Sequence, residues 1–300
     1  MSRTPEKIRP DLEYAIRLEW WTIGWQLSII GIMAVVLGSS QAMKSAWVED
    51  TLGLVPAIVF LVSVHYERKQ PTKYFPFGFD RVNSLAFLIS ATALVGMGLY
   101  LVYDSGSKLF AAEHPTIGPV EILGTPIWLG WLMIAVLVYS VIPPIIIGRI
   151  KQPVARKLSD KVLYTDALMQ KADWMTGMAA VVGIAGVGFG LWWADSAAAL
   201  LIALDIVHDG YNALKIATAE LLDGEPRMLG KAGIDPEAVQ LHARLHERFP
   251  GADVRLREAG RYIFAEIEGA PPPASEVDLE KLWPGDPDRS WRLAFVSFSR

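Results

Sequence analysis

Long apolar runs occupy much of the first two-thirds of the chain. Three of these runs contain no charged residue, and they cover positions 20–38, 82–103 and 126–148. A membrane-spanning helix needs about 20 mostly apolar residues, because each residue advances about 1.5 Å across a hydrocarbon core of about 30 Å. Each of the three runs therefore predicts a membrane-spanning helix.

Three more apolar runs contain acidic residues. They complete a prediction of six spans: 46–64 with Glu49 and Asp50, 172–192 with Asp173, and 196–208 with Asp205. A charged side chain at the centre of a spanning helix costs about 2.5–3.5 kcal/mol on insertion scales, so these residues are functional candidates. The first apolar run lacks the small-residue cleavage site of a signal peptide, and we interpret it as a permanent helix.

Basic residues concentrate in the segments that a six-helix arrangement places on one side of the membrane. They lie before the first helix, between the second and third, and between the fourth and fifth: Arg3, Lys7, Arg9, Arg17, Arg68, Lys69, Lys73, Arg81, Arg149, Lys151, Arg156, Lys157 and Lys161. The loops of the opposite side carry Lys44 and Lys108. Cytoplasmic loops carry an excess of Lys and Arg. The sequence therefore predicts a multi-pass protein of the cell (inner) membrane with both termini in the cytoplasm.

Composition and charge narrow the class of protein further. The 300 residues are 52% hydrophobic and 20% charged, and the net charge of −4 comes entirely from residues after position 216. This balance excludes a basic nucleic-acid-binding protein and a disordered chain. The absence of cysteine excludes a disulfide scaffold, thiolate metal sites and thiol catalysis. We also find no nucleophile–base motif or phosphate-binding loop, so we do not expect an enzyme.

The residues from 223 onward, here called the tail, have the pattern of a small folded domain. The predicted elements, in order, are a helix at 235–249, a hairpin of strands at 254–258 and 261–268, a short helix at 275–282 and a strand at 291–298. Asp235 is the expected N-cap of the first helix, and Pro236 occupies its first position. The order α–β–β–α–β predicts an α+β fold.

Three short segments resemble motifs of the cation diffusion facilitator family. KYFPFGFDR at 73–81, followed by NSLA at 83–86, resembles the start of that family's third helix. WADSAAAL at 193–200 resembles the start of its sixth helix, and ELLDG at 220–224 resembles the exit from that helix into the cytoplasmic domain. The order and spacing of these motifs also resemble those of the family. The resemblance covers residues 15–298.

The resemblance implies an architecture and a function. The implied fold is a cytoplasmic N-terminal segment (1–18), a membrane all-α domain of six transmembrane helices (19–222), and a cytoplasmic, ferredoxin- or metallochaperone-like α+β domain (223–300). The implied function is export of a divalent metal cation from the cytoplasm by a homodimer, through proton antiport with alternating access. The implied partners are the metal cation, protons and the lipid bilayer, with no permanently bound cofactor and no nucleic acid.

The resemblance also implies where the metal site lies. In the family, the second and fifth helices each supply two ligands four residues apart, usually His or Asp and then Asp, and this spacing puts both ligands on one helix face. The matching positions here are Glu49 with Gly53, and Met169 with Asp173. Two positions therefore retain carboxylates, whereas glycine and methionine occupy the other two.

Further carboxylates lie close in sequence to the altered positions. Asp50 adjoins Glu49, and Asp166 lies seven residues before Asp173, nearly two helical turns away. We therefore expect the metal site among Glu49, Asp50, Asp166, Met169 and Asp173. An oxygen-rich site favours manganese or iron(II) over zinc, within a candidate class that also includes cobalt and cadmium.

Other interpretations fit the same residues. Lys171 is placed to form a structural ion pair with Glu49 or Asp173 between helices two and five. Met169 fits a packing role, and Gly53 fits a position where a neighbouring helix approaches closely. A chain that kept the fold and lost transport would be a membrane-anchored regulator or scaffold.

Two further pairs of polar residues have the spacing of one helical turn. His242 and His246 fit a solvated face of the tail helix better than a surface zinc pair. Asp205 and Asp209 fit a solvated inner end of helix six better than a place on an ion path.

Overall fold

The fold is described here from a computed structural model of the chain. It describes residues 5–36, 41–112, 119–122, 125–188, 191, 193–273 and 277–299. In chain order, the long helices within this part are α1 (Arg9–Val36), α2 (Gln41–Glu67), α3 (Arg81–Phe110), α4 (Leu129–Leu158), α5 (Lys161–Gly188) and α6 (Ala194–Leu221). Each helix overlaps one predicted span.

Length and hydropathy mark part of this helical region as membrane-spanning. Among the described residues, three stretches are long and apolar enough to cross a bilayer: Asp50–Glu67, Arg81–Phe110 and Ser196–Leu221. These stretches belong to α2, α3 and α6. The prediction of six spans is therefore supported directly at three of the six helices and stays a prediction at the others.

The helices extend beyond the apolar runs that predicted them. The longest extensions are at the start of α1 and α5 and at the end of α4 and α6. α1 begins at Arg9, although the first apolar run begins at position 20, and α4 continues to Leu158, although the fourth run ends at 148. The basic residues between the fourth and fifth runs therefore lie largely on helices, where we had expected a loop. An apolar run matches only the part of a helix that lies in the bilayer core, and backbone hydrogen bonding can continue the helix beyond it into water. Helix lengths taken from the apolar runs are therefore too short.

A small hairpin between α3 and α4 was not predicted. Its strands are β1 (Pro119–Ile122) and β2 (Thr125–Trp128), which pair antiparallel. The prediction that the fourth span begins at position 126 was wrong by three residues, because 126–128 lie in β2 and α4 begins at Leu129. The short apolar strand continues directly into the apolar helix, so hydrophobicity alone does not separate them.

The tail has the predicted order of elements. These are α7 (Pro236–Arg248), β3 (Asp253–Ala259), β4 (Tyr262–Glu268), α8 (Leu279–Leu282) and β5 (Leu293–Ser299). The sheet order is β3-β4-β5, with β3 antiparallel and β5 parallel to β4. Asp235 caps α7 as expected, because its Oδ1 accepts a hydrogen bond from the Glu237 amide at 2.9 Å.

Two tail boundaries differ from the prediction by two residues or more, and the others lie within one residue of it. Trp291, the expected start of the last strand, lies in a 3-10 helix (Pro287–Arg292) that precedes β5. Positions 274–276, where the short helix was expected to begin, lie outside the described residues, and α8 itself begins after its N-cap Asp278.

α3 and α6 pack closely through reciprocal glycine contacts. A Cβ atom at Gly98 would lie 2.8 Å from Cγ2 of Val207, and one at Gly210 would lie 2.9 Å from the backbone nitrogen of Val95. Small residues let spanning helices approach one another in this way. The α3–α6 pair therefore forms a tight unit beside α5.

Buried charges join this helical region to the tail. Lys161, at the start of α5, donates to Oε2 of Glu220 near the end of α6 at 2.8 Å, and it also forms an ion pair with Glu258 of β3. Burial acts to lower the pKa of Lys161, but the carboxylates of Glu258 and Glu220 outweigh it and raise that pKa. The ammonium group therefore stays charged and joins α5, α6 and β3.

Candidate metal site

Three helices meet around Gly53, one of the two positions where the resemblance implies a metal ligand and the sequence has another residue. Gly53 is buried on α2, and a Cβ atom there would lie 3.1 Å from Nε2 of Gln26 and 3.5 Å from Oδ2 of Asp173. Gln26 belongs to α1 and Asp173 to α5. The absence of a side chain at Gly53 therefore leaves room for polar groups from both neighbouring helices.

Gln26 also contacts the acidic part of α2. Its side chain is 2% exposed, and its Nε2 donates to the backbone oxygen of Asp50 at 3.1 Å and to the Asp50 carboxylate at 3.4 Å. A buried amide is costly unless it is hydrogen-bonded, so this contact fixes the position of Gln26. Asp50, Gln26 and Asp173 thus bring two carboxylates and one amide to the surroundings of Gly53.

Gln26 was missed by the sequence analysis. It lies inside the first apolar run, which contains no charged residue and in which we named no candidate residue. A lone amide within a run otherwise dominated by apolar residues was the available signal, because a polar group inside a membrane domain needs a partner there.

Glu49 precedes Asp50 on α2, and its side chain lies outside what the structure describes. Within the described part of the chain, no group of three or more His, Asp or Glu side chains is arranged to hold a metal ion. Acidic side chains alone therefore do not complete a site among these residues. A metal site at Asp50 and Asp173 would also need an oxygen from Gln26 or a ligand from Glu49.

Asp166 takes part in a different arrangement from the one we expected. It is fully buried and forms an ion pair with Lys151 of α4, whose Nζ also lies 2.9 Å from Oε2 of Glu19 on α1. All three side chains are shielded from solvent. Lys151, which we counted as a loop charge, is therefore the buried cation that compensates two carboxylates and joins α1, α4 and α5.

Met169 packs against apolar side chains. It is fully buried in a cluster with residues of α3, α5 and α6: Leu94, Met97, Leu101, Ala172, Ala203 and Ile206. This environment matches the packing role that we weighed for Met169. We therefore interpret Met169 as a packing residue, because its thioether lies among the α3 and α6 side chains.

Lys171 joins α5 to α6. Its Nζ lies 2.8 Å from Oδ2 of Asp205 and 3.2 Å from Oδ2 of Asp209. All three side chains are partly exposed. This arrangement gives Lys171 and the two α6 acids a structural role between neighbouring helices.

The two tail histidines lie on the exposed face of α7. Their ring centroids are 6.2 Å apart, and a ring nitrogen of His242 lies 3.1 Å from the backbone oxygen of Val254. A hydrogen bond to the backbone occupies one ring nitrogen of His242. The pair therefore fits the solvated helix face that we favoured.

Comparison with known proteins supplies independent information on the helical region. A model of the cation efflux transmembrane domain matches residues 23–222. The manganese efflux system protein MneS of Bacillus subtilis is 21% identical over 245 residues, covering 80% of this chain and 77% of that protein. The cation-efflux pump FieF of Shewanella oneidensis is 22% identical over 250 residues, with 80% and 76% coverage. The magnetosome protein MamB of Magnetospira sp. is 23% identical over 258 residues, with 83% coverage of both chains.

The buried triad of Glu19, Lys151 and Asp166 generates a prediction about stability. Lys151→Met keeps an unbranched side chain but leaves two buried carboxylates without their cation, which should lower the free energy of unfolding by about 3–5 kcal/mol. Lys157→Met on the same helix is the matched control, because the Lys157 side chain is 69% exposed and its pair with Asp11 is worth about 0–1 kcal/mol. Chemical unfolding in detergent measures the free energy of unfolding of both variants. Equal values for the two variants would contradict a compensating role for Lys151.

Proposed function

Because this chain belongs to the cation efflux family, we propose that it exports a divalent metal cation from the cytoplasm in exchange for protons. Members of this family are membrane transporters and not enzymes. The proposal includes six spanning helices in the cell (inner) membrane, cytoplasmic termini, a cytoplasmic tail domain (223–300) and a homodimer. The distribution of basic residues and the family motifs support these features.

The convergence of α1, α2 and α5 at Gly53 is the observation that carries the proposal. Asp50 and Asp173 are the central ligands, Glu49 is a further carboxylate ligand from α2, and Gln26 borders the same space. A metal cation and a proton each neutralise a carboxylate, so the two compete for the same groups. Binding of cytoplasmic metal and its release by protons from the other side follow from that competition.

Transport requires the site to open to each side in turn. In transporters, binding sites lie near the bilayer midplane, and packed helices rock around them. Here α2 and α5 carry the ligands, so their relative movement exposes or closes the site. Asp166 stays outside this ligand set because Lys151 compensates its charge, and Met169 stays outside it because it packs against α3 and α6.

The donor atoms favour a hard cation. Carboxylate and amide oxygens are suitable ligands for manganese and other hard ions such as magnesium, whereas imidazole and thiolate ligands are suitable for zinc. The similarity to MneS, whose name describes manganese efflux, agrees with this preference. We therefore propose manganese or iron(II) as the transported ion ahead of zinc, cobalt and cadmium, with no resident cofactor.

A scaffold that has lost transport is the second candidate, and the replacement of two family ligand positions by Gly53 and Met169 favours it. Such a protein would bind none of these ions at the Gly53 site. Calorimetric titration of the purified protein with manganese, iron(II), zinc, cobalt and cadmium separates the two functions.

The first transport prediction concerns Asp173. Asp173→Asn keeps the shape of the side chain but removes its charge, so manganese transport into proteoliposomes should fall at least about tenfold. The matched control is Asp205→Asn on α6, because Asp205 pairs with Lys171 and has no place in the proposed site. Wild-type transport by Asp173→Asn would show that the site lies elsewhere.

The second transport prediction concerns Gln26. Gln26→Leu has a similar volume but removes the amide that holds Asp50, so the KM for manganese should rise by about 10- to 100-fold. Ser28→Ala is the control on α1, because the Ser28 hydroxyl donates to the backbone oxygen of Trp25 within its own helix. An unchanged KM in the Gln26→Leu protein would remove Gln26 from the site.

A further inference from the structure

The turn between β3 and β4 lies against the ends of four helices. The backbone nitrogen of Gly260 donates to the Ser84 hydroxyl of α3 at 2.8 Å and to Oε1 of Glu220 of α6 at 3.0 Å. Gly260 has a φ of +64°, and a Cβ atom there would lie 2.9 Å from both the Asn83 side chain and the Asp80 backbone oxygen. The position therefore requires glycine for its conformation and for the space around it.

Arg261, the next residue, reaches the other two helices. Its Nη2 lies 3.0 Å from Oε2 of Glu67 and 2.9 Å from Oδ2 of Asp160. Glu67 is the last residue of α2, and Asp160 directly precedes α5, where its Oδ1 accepts a hydrogen bond from the Leu163 amide. The Arg261 side chain is fully buried. One guanidinium group thus binds the ends of α2 and α5.

These are the same two helices that carry Asp50 and Asp173. We propose that Arg261 is a positioning residue that holds the tail-side ends of α2 and α5 together and so keeps the metal site closed toward the tail. Opening on that side requires Arg261 to leave one of its two carboxylates. The consequence for transport rests on the function proposed above, whereas the closing contact itself does not.

The electrostatics make this contact strong. Burial acts to lower the pKa of Arg261, but the Glu67 and Asp160 carboxylates outweigh it and raise that pKa, so the guanidinium stays charged. Removal of one partner from a buried ion pair leaves an uncompensated charge, and that charge favours an open, hydrated arrangement. Loss of Arg261 is therefore expected to separate the ends of α2 and α5.

Other contacts keep the tail attached when Arg261 is replaced. Lys161 still joins α5 and α6 to Glu258 of β3. Arg289 of the tail also donates to the Ser159 hydroxyl at 2.8 Å and to the Arg156 backbone oxygen at 3.2 Å. A variant at position 261 therefore tests closure separately from docking of the tail.

The chain contains no cysteine, so one introduced thiol reports directly on opening. Ser63 is a suitable position, because it is fully buried on α2, one turn before Glu67 and on the same helix face. The experiment measures the rate at which a membrane-impermeant maleimide labels the Ser63→Cys protein in lipid nanodiscs without metal. We expect labelling to be about tenfold faster when Arg261→Gln or Glu67→Gln is added.

Three controls make the result specific. Arg255→Gln should leave labelling unchanged, because exposed Arg255 pairs with Asp253 and Glu268 within the tail. A second reporter, Ala203→Cys, is fully buried on α6 and should stay protected in every variant. Arg261→Lys should restore part of the protection, since it keeps the charge but not the planar guanidinium that places Nη2 between the two carboxylates.

Each result bears on the proposal. Fast labelling at position 63 with protection at 203 supports it. Protection of position 63 in both Arg261→Gln and Glu67→Gln overturns it, and so does labelling of both reporters in both variants, because Arg261 would then serve general folding. Failure of metal binding with the expected labelling pattern would refute the proposed function and leave this inference standing.

Discussion

The need to compensate buried charge governs how this chain folds. Carboxylates in the helical region and at its junction with the tail are paired with buried cations: Asp166 and Glu19 with Lys151, Glu67 and Asp160 with Arg261, and Glu220 and Glu258 with Lys161. A buried ion without a partner costs several kcal/mol, so these pairs disfavour arrangements that separate the elements they join. Each of the three cations joins elements that are distant in sequence.

Near Gly53, Asp50 contacts a neutral side chain. The side chain that reaches Asp50 there is the neutral amide of Gln26, and Asp173 approaches the same space from α5. A neutral hydrogen-bond donor orients a carboxylate without cancelling its charge. Gln26 therefore leaves the charge of Asp50 uncancelled, which suits the mobile cation of the export function proposed here.

The sequence was most informative where a local pattern determines structure. Apolar runs identified all six long helices approximately, and alternation with turn residues identified the β3–β4 hairpin. Two positions that the resemblance implies as ligand positions, Gly53 and Asp173, do lie close together. The predicted ends of the helices were less accurate. Hydropathy indicates only the part of a helix that lies in the bilayer, whereas the backbone hydrogen bonds of α4 continue past Lys151 to Leu158.

Contacts between distant segments could not be predicted in the same way. Lys151 appeared as one of many basic loop residues, yet it is a buried cation between α1 and α5. Arg261 appeared as the first charged position of a strand, yet it binds α2 and α5. The spacing of seven residues placed Asp166 on the same face of the helix as Asp173. Spacing along one helix does not show which residue of a neighbouring helix a side chain will contact.

We propose that a divalent cation and protons exchange at one site between α2 and α5. The most direct measurement follows internal pH in proteoliposomes while a manganese gradient is imposed across the membrane. We expect proton movement opposite to manganese in the wild-type protein, and loss of both movements when Asp50→Asn and Asp173→Asn are combined. Manganese movement without proton movement, or proton coupling that survives the double substitution, would contradict it.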